Sequence, residues 1–301
     1  MFENESVYDF EKAVNKSKLD RLVSLLRWEN PGLLSLYDVT QLIKPEKETY
    51  LGLKPIKVNS IIGSEDRFHD FSRAFFPKKK MLKNRWTSID RANRQSVLLP
   101  PISVYQVGNY YFVRDGNHRV SVAKMMGIEY IDAEIVKLDS KIELKKGMTK
   151  RALQKKVVEY ERKRFINEYK KQCNLPMDRI KFSTPGLYPE MVQHILVHKY
   201  YMNLNITEEI PFSVAADDWY TEIYLPITEE IETQKLMSFF PGKTESDLYM
   251  YLVKHWDYMK IEKKNDDISI HDASEDYKKK SKKGKIKRWW LFLKEKFSRR
   301  D

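Results

Sequence analysis

The chain has 301 residues, of which 42% are hydrophobic and 33% are charged, and its formal net charge is +12. This hydrophobic content allows a buried core and excludes wholesale disorder, and the length predicts about two domains. The single cysteine, Cys173, excludes an intrachain disulfide and a CxxC zinc motif.

The positive charge is concentrated at the C-terminus. Residues 278–301 contain twelve Lys or Arg against two acids, which leaves about +2 of the total for residues 1–277. Because the body is near neutral, the overall charge is no argument for a core that binds nucleic acid. The N-terminus is acidic without an apolar signal core, and no apolar run approaches the roughly 20 residues of a membrane span. We therefore expect a cytoplasmic protein.

Residues 1–49 are predicted to form an N-terminal helical cap. Apolar residues at three- and four-residue spacing predict an amphipathic helix over residues 8–29, which Pro31 and Gly32 end. A second short helix is predicted over Leu33–Ile43. We expect these helices to pack rather than to carry chemistry.

A mixed sheet with helices is predicted next. Ile56–Ile62 is a strand candidate, followed by a polar loop that includes Glu65 and Arg67. The aromatic residues of Phe68–Phe76 come at helical spacing, which usually indicates core. A helix over about Met81–Gln95 carries three arginines, which could face a nucleotide or nucleic acid, although a solvated helix face is the commoner outcome. These arginines are Arg85, Arg91 and Arg94.

The central stretch, Tyr110–Gly127, predicts a strand, a tight turn and a helix. Tyr110–Val113 are aromatic or β-branched, Asp115-Gly116 is a turn dipeptide, Asn117 is a good N-cap, and Gly127 stands where a C-cap belongs. The first N–H groups of a helix have no intrahelical acceptor and carry the positive end of the helix dipole. The turn is therefore a candidate anion site, with phosphate as the anion, and a solvated surface turn is the alternative.

Side chains of the same turn fit this chemistry. His118 and Arg119 place two groups that can be cationic in the first helical turn, where the dipole disfavours positive charge. A bound phosphate would resolve that conflict. Asp115 could take a proton or hold a metal ion.

The stretch from Pro100 to Ile128, PPISVYQVGNYYFVRDGNHRVSVAKMMGI, resembles the central motif of the ParB/sulfiredoxin-like superfamily, and Ile56–Arg67 resembles its first strand and following loop. The resemblance covers roughly residues 50–137. It implies a small domain, placed at residues 50–139, whose turn binds nucleotide phosphates. Members include CTP-hydrolysing partitioning clamps, ATP-dependent sulfiredoxins and ADP-dependent free-serine kinases. A sulfiredoxin reaction is disfavoured because Asn117 stands where that family's turn has a cysteine.

The order of four segments, DGNHRVSVA, HILVHKYY, WYTEIYLPI and FFPGKTESDLY, is similar to a bacterial family. That family fuses a ParB-like domain to a helical domain of unknown function. Here we predict the helical domain at residues 149–260, with Thr244 as an N-cap. His194 and His198 stand four apart on one helix, but with no third ligand evident we favour packing over a metal site. The pattern of a DNA-binding helix-turn-helix is not found.

Residues 261–301 are predicted to form a disordered basic tail that ends in an amphipathic helix, Ile286–Phe297. Its adjacent tryptophans and lysines suit an anionic membrane surface, which would make the protein peripheral to the membrane. Nucleic-acid phosphate and a partner's groove are the alternatives for residues 278–301. The protein partner is unknown.

The expected fold is α+β, and the expected function is a nucleotide-binding regulator, with or without slow hydrolysis. The ligand would be a nucleoside triphosphate or diphosphate with Mg²⁺. The expected phosphate-binding residues are Arg67, Gly116, Asn117, His118 and Arg119, and the candidate catalytic residues are Glu65, Asp115 and His118. A small-molecule phosphotransferase resembling the free-serine kinases is the alternative, and a DNA-associated protein is a weaker one.

Overall fold

The structure, a computed structural model, describes residues 2–26, 32–145, 147–204 and 207–282. The chain divides into two compact units, Met1–Val157 and Val158–Asp301. The first holds a six-stranded sheet with helices, and the described part of the second is helical. The predicted α+β class is confirmed.

In the described residues of the first unit, four α-helices and six strands precede α5. In chain order they are α1 (Phe2–Leu26), β1 (Leu34–Ser35), α2 (Leu36–Ile43), β2 (Lys47–Lys57), β3 (Ile61–Ser64), α3 (Lys83–Arg94), β4 (Ile102–Val107), β5 (Tyr110–Asp115), α4 (Asn117–Met126) and β6 (Tyr130–Asp139). The strand order is β1-β3-β5-β4-β6-β2. The pairs β1–β3, β3–β5 and β4–β6 are parallel, whereas β5–β4 and β6–β2 are antiparallel. The sheet is therefore mixed, as predicted.

One face of this sheet makes the core with the helices. Val104 and Val113 of the central strands pack with Phe10 of α1, Trp86 of α3 and Val120 of α4. Side chains alternate between the faces of a strand, so Tyr105 belongs to the opposite face from Val104. The turn between β5 and α4 thus lies at the end of a central strand, beside the core helices.

The segment Phe68–Phe76 is not a helix, so its helical spacing was misleading. It runs through turns with isolated bridges from Phe71 to Pro77 and from Ser72 to Gly32. The expectation of core is confirmed, because Phe71 and Phe75 are fully buried. Burial, turn hydrogen bonds and these bridges, rather than a helix, therefore anchor this segment.

The sheet begins earlier than residue 50. β2 starts at Lys47, and Leu34 and Ser35, expected within a helix, pair in parallel with Gly63 and Ser64 of β3. The segment expected as a helical cap thus also contributes an edge strand.

The second unit is built from helices. They are α5 (Lys150–Tyr169), which crosses the boundary between the units, α6 (Leu187–Asn203), α7 (Phe212–Trp219), α8 (Leu225–Thr233), α9 (Glu245–Lys263) and α10 (Ile270–Lys282). A π-helical turn at Tyr220–Tyr224 joins α7 to α8. Leu225 donates its N–H to the carbonyl oxygen of Tyr220, five residues earlier, and Pro226 after it has no N–H to donate. The predicted cap at Thr244 is present as a capping box with Asp247.

The prediction of disorder from residue 261 is wrong for the described part of that segment. α10 packs through Ala273 and Tyr277, which are 0% and 1% exposed, and Tyr277 stacks on Phe240 with ring centroids 5.5 Å apart. The charge-rich composition hid these two apolar anchors. Residues 283–301, including the predicted amphipathic helix, lie outside the described residues. No helix in the described ranges is long and apolar enough to cross a membrane.

Candidate functional site

The turn between β5 and α4 depends on Gly116. Its φ is +99°, and a Cβ at this position would lie 2.4 Å from Cγ2 of Ile102. Gly116 itself is the N-cap, so the prediction of Asn117 as N-cap is off by one residue. The helix then begins with the hydrogen bond from Val120 N to Gly116 O, 3.0 Å. The N–H groups of residues 117–119 therefore have no intrahelical acceptor.

The first two side chains of α4 are buried with polar atoms unpaired. Asn117 and His118 are 7% and 8% exposed. Asn117 Oδ1 and His118 Nδ1 are inaccessible and have no hydrogen-bond partner among the described residues. The imidazole lies edge-on to Phe71, with ring centroids 5.4 Å apart. Because an unpaired buried polar atom costs free energy, these atoms are poised for a ligand or water.

The surroundings of His118 are cationic. Burial first, and then the charges of Arg85 and Arg67, lower the pKa of His118 to about 4, while Asp70 opposes the shift. The imidazole is therefore neutral at pH 7, and two arginine charges act on it. An anion placed beside it would meet the positive field of the two arginines, and its charge would raise the pKa of the imidazole.

Asp70 is the anion already present in this group. Its carboxylate accepts from Arg67 Nη1 at 3.0 Å and from Lys79 Nζ at 2.6 Å. Burial raises the pKa of Asp70, but the hydrogen bonds and charges of Lys79 and Arg67 outweigh it, so the net pKa is lowered. Ser64 ties the segment to the sheet, accepting from Arg67 N at 3.1 Å and donating to Val113 O at 3.3 Å.

The three arginines of α3 have different surroundings. Arg85 is exposed and makes no hydrogen bond or ion pair within the described ranges. Arg91 pairs with Glu3, and Arg94 with Asp90 of its own helix. Arg94 also pairs with two acids of α1, Glu5 and Asp9. Only Arg85 thus keeps a guanidinium available to a ligand.

Arg119 is occupied by its own turn. Its guanidinium pairs with Asp115 and donates to the carbonyl oxygens of Pro100 and Pro101, the latter over 2.8 Å. Its side chain is only 12% exposed, whereas that of Asp115 is 66% exposed. Arg119 therefore links the two prolines that precede β4 to the turn between β5 and α4.

Glu65 is not brought to the turn. It lines a cavity with Thr40 of α2 and Tyr105 of β4, on the sheet face opposite the core shared with α4. Its backbone N–H donates to Val113 O at 2.9 Å. In the described part of the chain, no hydrogen bond or ion pair joins Glu65 to residues 115–119.

Gly116, Asn117 and His118 thus form one turn, the charge of Arg67 acts on His118, and three side chains from outside the predicted site belong to the same group of interacting charges. The added residues are Asp70, Lys79 and Arg85. The sequence pattern favours a solvated helix face for the arginines of α3. No local pattern marks these side chains, because their electrostatic interactions depend on how the segment at 65–80 and α3 fold relative to α4.

Protein ligands for a metal are sparse. The described residues contain no group of three His, Cys, Asp or Glu side chains that could hold a metal ion. His194 Nδ1 lies 3.3 Å from the Tyr249 hydroxyl, and His198 Nε2 lies 2.6 Å from Asp218 Oδ2, so each of these histidines has a separate partner. Mg²⁺ commonly binds through substrate phosphates and few carboxylates, and the residues here fit that mode better than a cage of protein ligands.

No protein-family model and no curated protein matches the chain. Among solved structures, sulfiredoxin from Arabidopsis thaliana is similar at 19% identity over 28% of this chain and 82% of that chain, with a TM-score of 0.22. A pNOB8-like ParB N-domain is similar at 15% identity over 74% of this chain and 87% of that chain, with a TM-score of 0.22. A second structure of such a domain is similar at 14% identity over 74% of this chain and 81% of that chain, also with a TM-score of 0.22. These similarities are weak, and no activity is carried over from them.

Proposed function

We propose that the chain binds a nucleotide by its phosphates at the N-terminus of α4 and acts as a nucleotide-dependent regulator. The observation that carries this proposal is His118. Its side chain is 8% exposed, its Nδ1 has no partner among the described residues, and the charges of Arg85 and Arg67 act on it. The unpaired N–H groups of the same helical turn add donors that suit phosphate oxygens.

Each of these groups has a distinct role. The backbone N–H groups of residues 117–119 would donate to phosphate beside the neutral ring of His118, and Arg85 and Arg67 would neutralise its charge. Arg119, held by Asp115 and Pro101, positions the turn. The resemblance of DGNHR and its flanks to the ParB/sulfiredoxin-like superfamily is the reason to name a nucleotide rather than a simple anion.

Regulation fits this arrangement better than group transfer. Asp115, the candidate base of the turn, is engaged in an ion pair with Arg119. Glu65 lines a different cavity. No observation favours the phosphotransferase or the DNA-associated protein over nucleotide binding.

The test is binding of ATP, ADP, CTP and GTP, each with Mg²⁺, to the full chain by thermal shift and calorimetry. A ligand at 100 times its dissociation constant should add about 2.7 kcal/mol of apparent stability. Arg85→Gln should weaken the binding of the preferred nucleotide about fivefold, since one charge-assisted contact is lost. Lys80→Gln is the matched control, because Lys80 is exposed and makes no hydrogen bond or ion pair with described residues. Failure of every nucleotide to bind, or equal effects of the two variants, would overturn the proposal.

A further inference from the structure

The carboxylate of Asp70 is a negative charge among the cationic side chains of the candidate site. It accepts from Arg67 at 3.0 Å and from Lys79 at 2.6 Å. The charges of Arg67 and Asp70 also both act on His118. Phe71, the residue after Asp70, packs edge-on against the His118 ring with centroids 5.4 Å apart, so an anion bound beside His118 would lie close to Asp70 and its cations.

The backbone of Asp70 is held in place. Its N–H donates to Arg67 O at 3.0 Å, and its carbonyl oxygen accepts from Lys78 N at 2.9 Å. The next residue, Phe71, is fully buried in the core. The carboxylate itself is mostly buried, with 14% of the side chain exposed.

The cations that pair with Asp70 are on the solvent side. Arg67 and Lys79 are 52% and 49% exposed. Both are long, flexible side chains, and ion pairs with such exposed groups are weak enough to exchange. At this position the cationic side chains of Arg67 and Lys79 can move toward a ligand, whereas the carboxylate of Asp70 stays in place.

We propose that Asp70 is an internal counter-ion that holds Arg67 and Lys79 until a polyphosphate takes them over. This inference rests on the proposed function and adds a regulatory element to the same site. It assigns Lys79 to the site as well, and it selects for ligands of high charge. A di- or triphosphate can replace the carboxylate on both cations, whereas a singly charged anion meets the repulsion of Asp70.

The test uses inorganic pyrophosphate as the probe, with the full chain, by calorimetry at constant ionic strength. Asp70→Asn and Asp70→Ser remove the competing charge and should tighten binding about fivefold, the effect expected from two half-exposed ion pairs. Asp66→Asn is the matched control, because Asp66 is exposed in the same loop and makes no ion pair within the described ranges. It should leave the affinity within twofold of wild type, as should Asp70→Glu, which keeps the carboxylate.

The outcomes separate the two proposals. If wild type binds pyrophosphate and the Asp70 variants bind no tighter than Asp66→Asn, the counter-ion role is overturned and the phosphate site stands. If wild type fails to bind and the Asp70 variants bind, the counter-ion role is supported. Phosphate binding by the wild-type chain is then not supported under these conditions. If none of them binds, both proposals fall. Loss of the cooperative thermal melt in both Asp70 variants also overturns the role, since a carboxylate needed for folding is not an exchangeable counter-ion.

Discussion

Arg119 donates to the carbonyl oxygen of Pro101 over 2.8 Å and pairs with Asp115 through its other terminal nitrogen. The turn and the residues that precede β4 are thus joined by one guanidinium. A lysine has a single ammonium group and cannot reproduce this fork.

Arg119→Lys should therefore act on stability more than on ligand binding. We expect a loss of about 1–2 kcal/mol in the free energy of unfolding, since charge-assisted hydrogen bonds are lost while the charge stays. Urea unfolding measures the loss, and calorimetry below the melting temperature measures nucleotide affinity, which should change by less than about threefold. A tenfold loss of affinity at unchanged stability would instead make Arg119 a phosphate ligand.

Gly116→Ala should be costly for two separate reasons. The φ of +99° disfavours any residue with a Cβ, and that Cβ would lie 2.4 Å from Ile102 Cγ2. Together, the backbone and steric terms predict a loss of about 2–4 kcal/mol in unfolding free energy.

Gly108→Ala is the control for the backbone term alone. Gly108 also has a positive φ, +58°, but a Cβ there would meet nothing within 4 Å. Thermal and urea unfolding of both variants should show the larger loss for Gly116→Ala. Equal losses would mean that the contact with Ile102 relaxes without cost.

Acid should destabilise the protein through its buried histidines. Burial first, and then the charge of Lys280, lower the pKa of His255 to about 4, although Asp276 opposes the shift, and His118 is lowered to a similar value. Because the folded pKa lies below the ordinary value of 6.5, the unfolded chain takes up the proton first. Stability is thus retained above pH 6.5 and lost as the pH falls toward 4, by about 3 kcal/mol for a shift of this size.

His255→Gln isolates this effect. The glutamine amide can still donate to Asp276, which lies 2.7 Å from His255 Nε2, but it does not titrate. Urea unfolding at pH 7.0, 5.5 and 4.5 should show a shallower loss in the variant than in wild type. Parallel pH profiles would contradict the assignment. The pKa of Asp276 is lowered below its ordinary value of 3.8. Its protonation therefore falls below the pH range of 4.5 to 7.0 used in this experiment.

Asp247→Asn should weaken the second unit strongly. The carboxylate is 0% exposed and accepts from Ser183 N and Thr244 N, both at 3.0 Å, and from the Ser183 hydroxyl. In asparagine, an NH2 group replaces one of the two accepting oxygens and would face an N–H or O–H donor. We therefore expect a loss of about 3 kcal/mol in unfolding free energy.

Asp272→Asn provides the comparison, because Ser269 and Asp272 form a surface counterpart of the capping box of Thr244 and Asp247. The Ser269 N–H donates to Asp272 and the Asp272 N–H donates to the Ser269 hydroxyl, each at 3.1 Å. Chemical unfolding followed by far-UV circular dichroism should show a clearly smaller loss for Asp272→Asn. Similar losses in the two variants would show that burial adds little to the cap at Asp247.

Local sequence was sufficient where a structure depends on neighbouring residues. The strand at Tyr110, the glycine turn, the C-cap at Gly127 and the cap at Thr244 all follow from backbone preferences within a few residues. The same reasoning placed the N-cap one residue late, since Gly116 takes that role. It also noted helical spacing in Phe68–Phe76, where burial of Phe71 and Phe75 is achieved without a helix.

The sequence by itself determined the α+β class, the position of the β5–α4 turn and the near-neutral charge of the body. Only the tertiary structure decided which charges meet there. It made the charges of Arg67, Asp70 and Arg85 act on His118 and engaged Arg94 with α1. It also placed Glu65 on the opposite face of the sheet and packed α10 through Tyr277. The physical reason is that hydrogen bonds within a turn involve adjacent residues, whereas electrostatic contacts depend on distances that the whole fold sets.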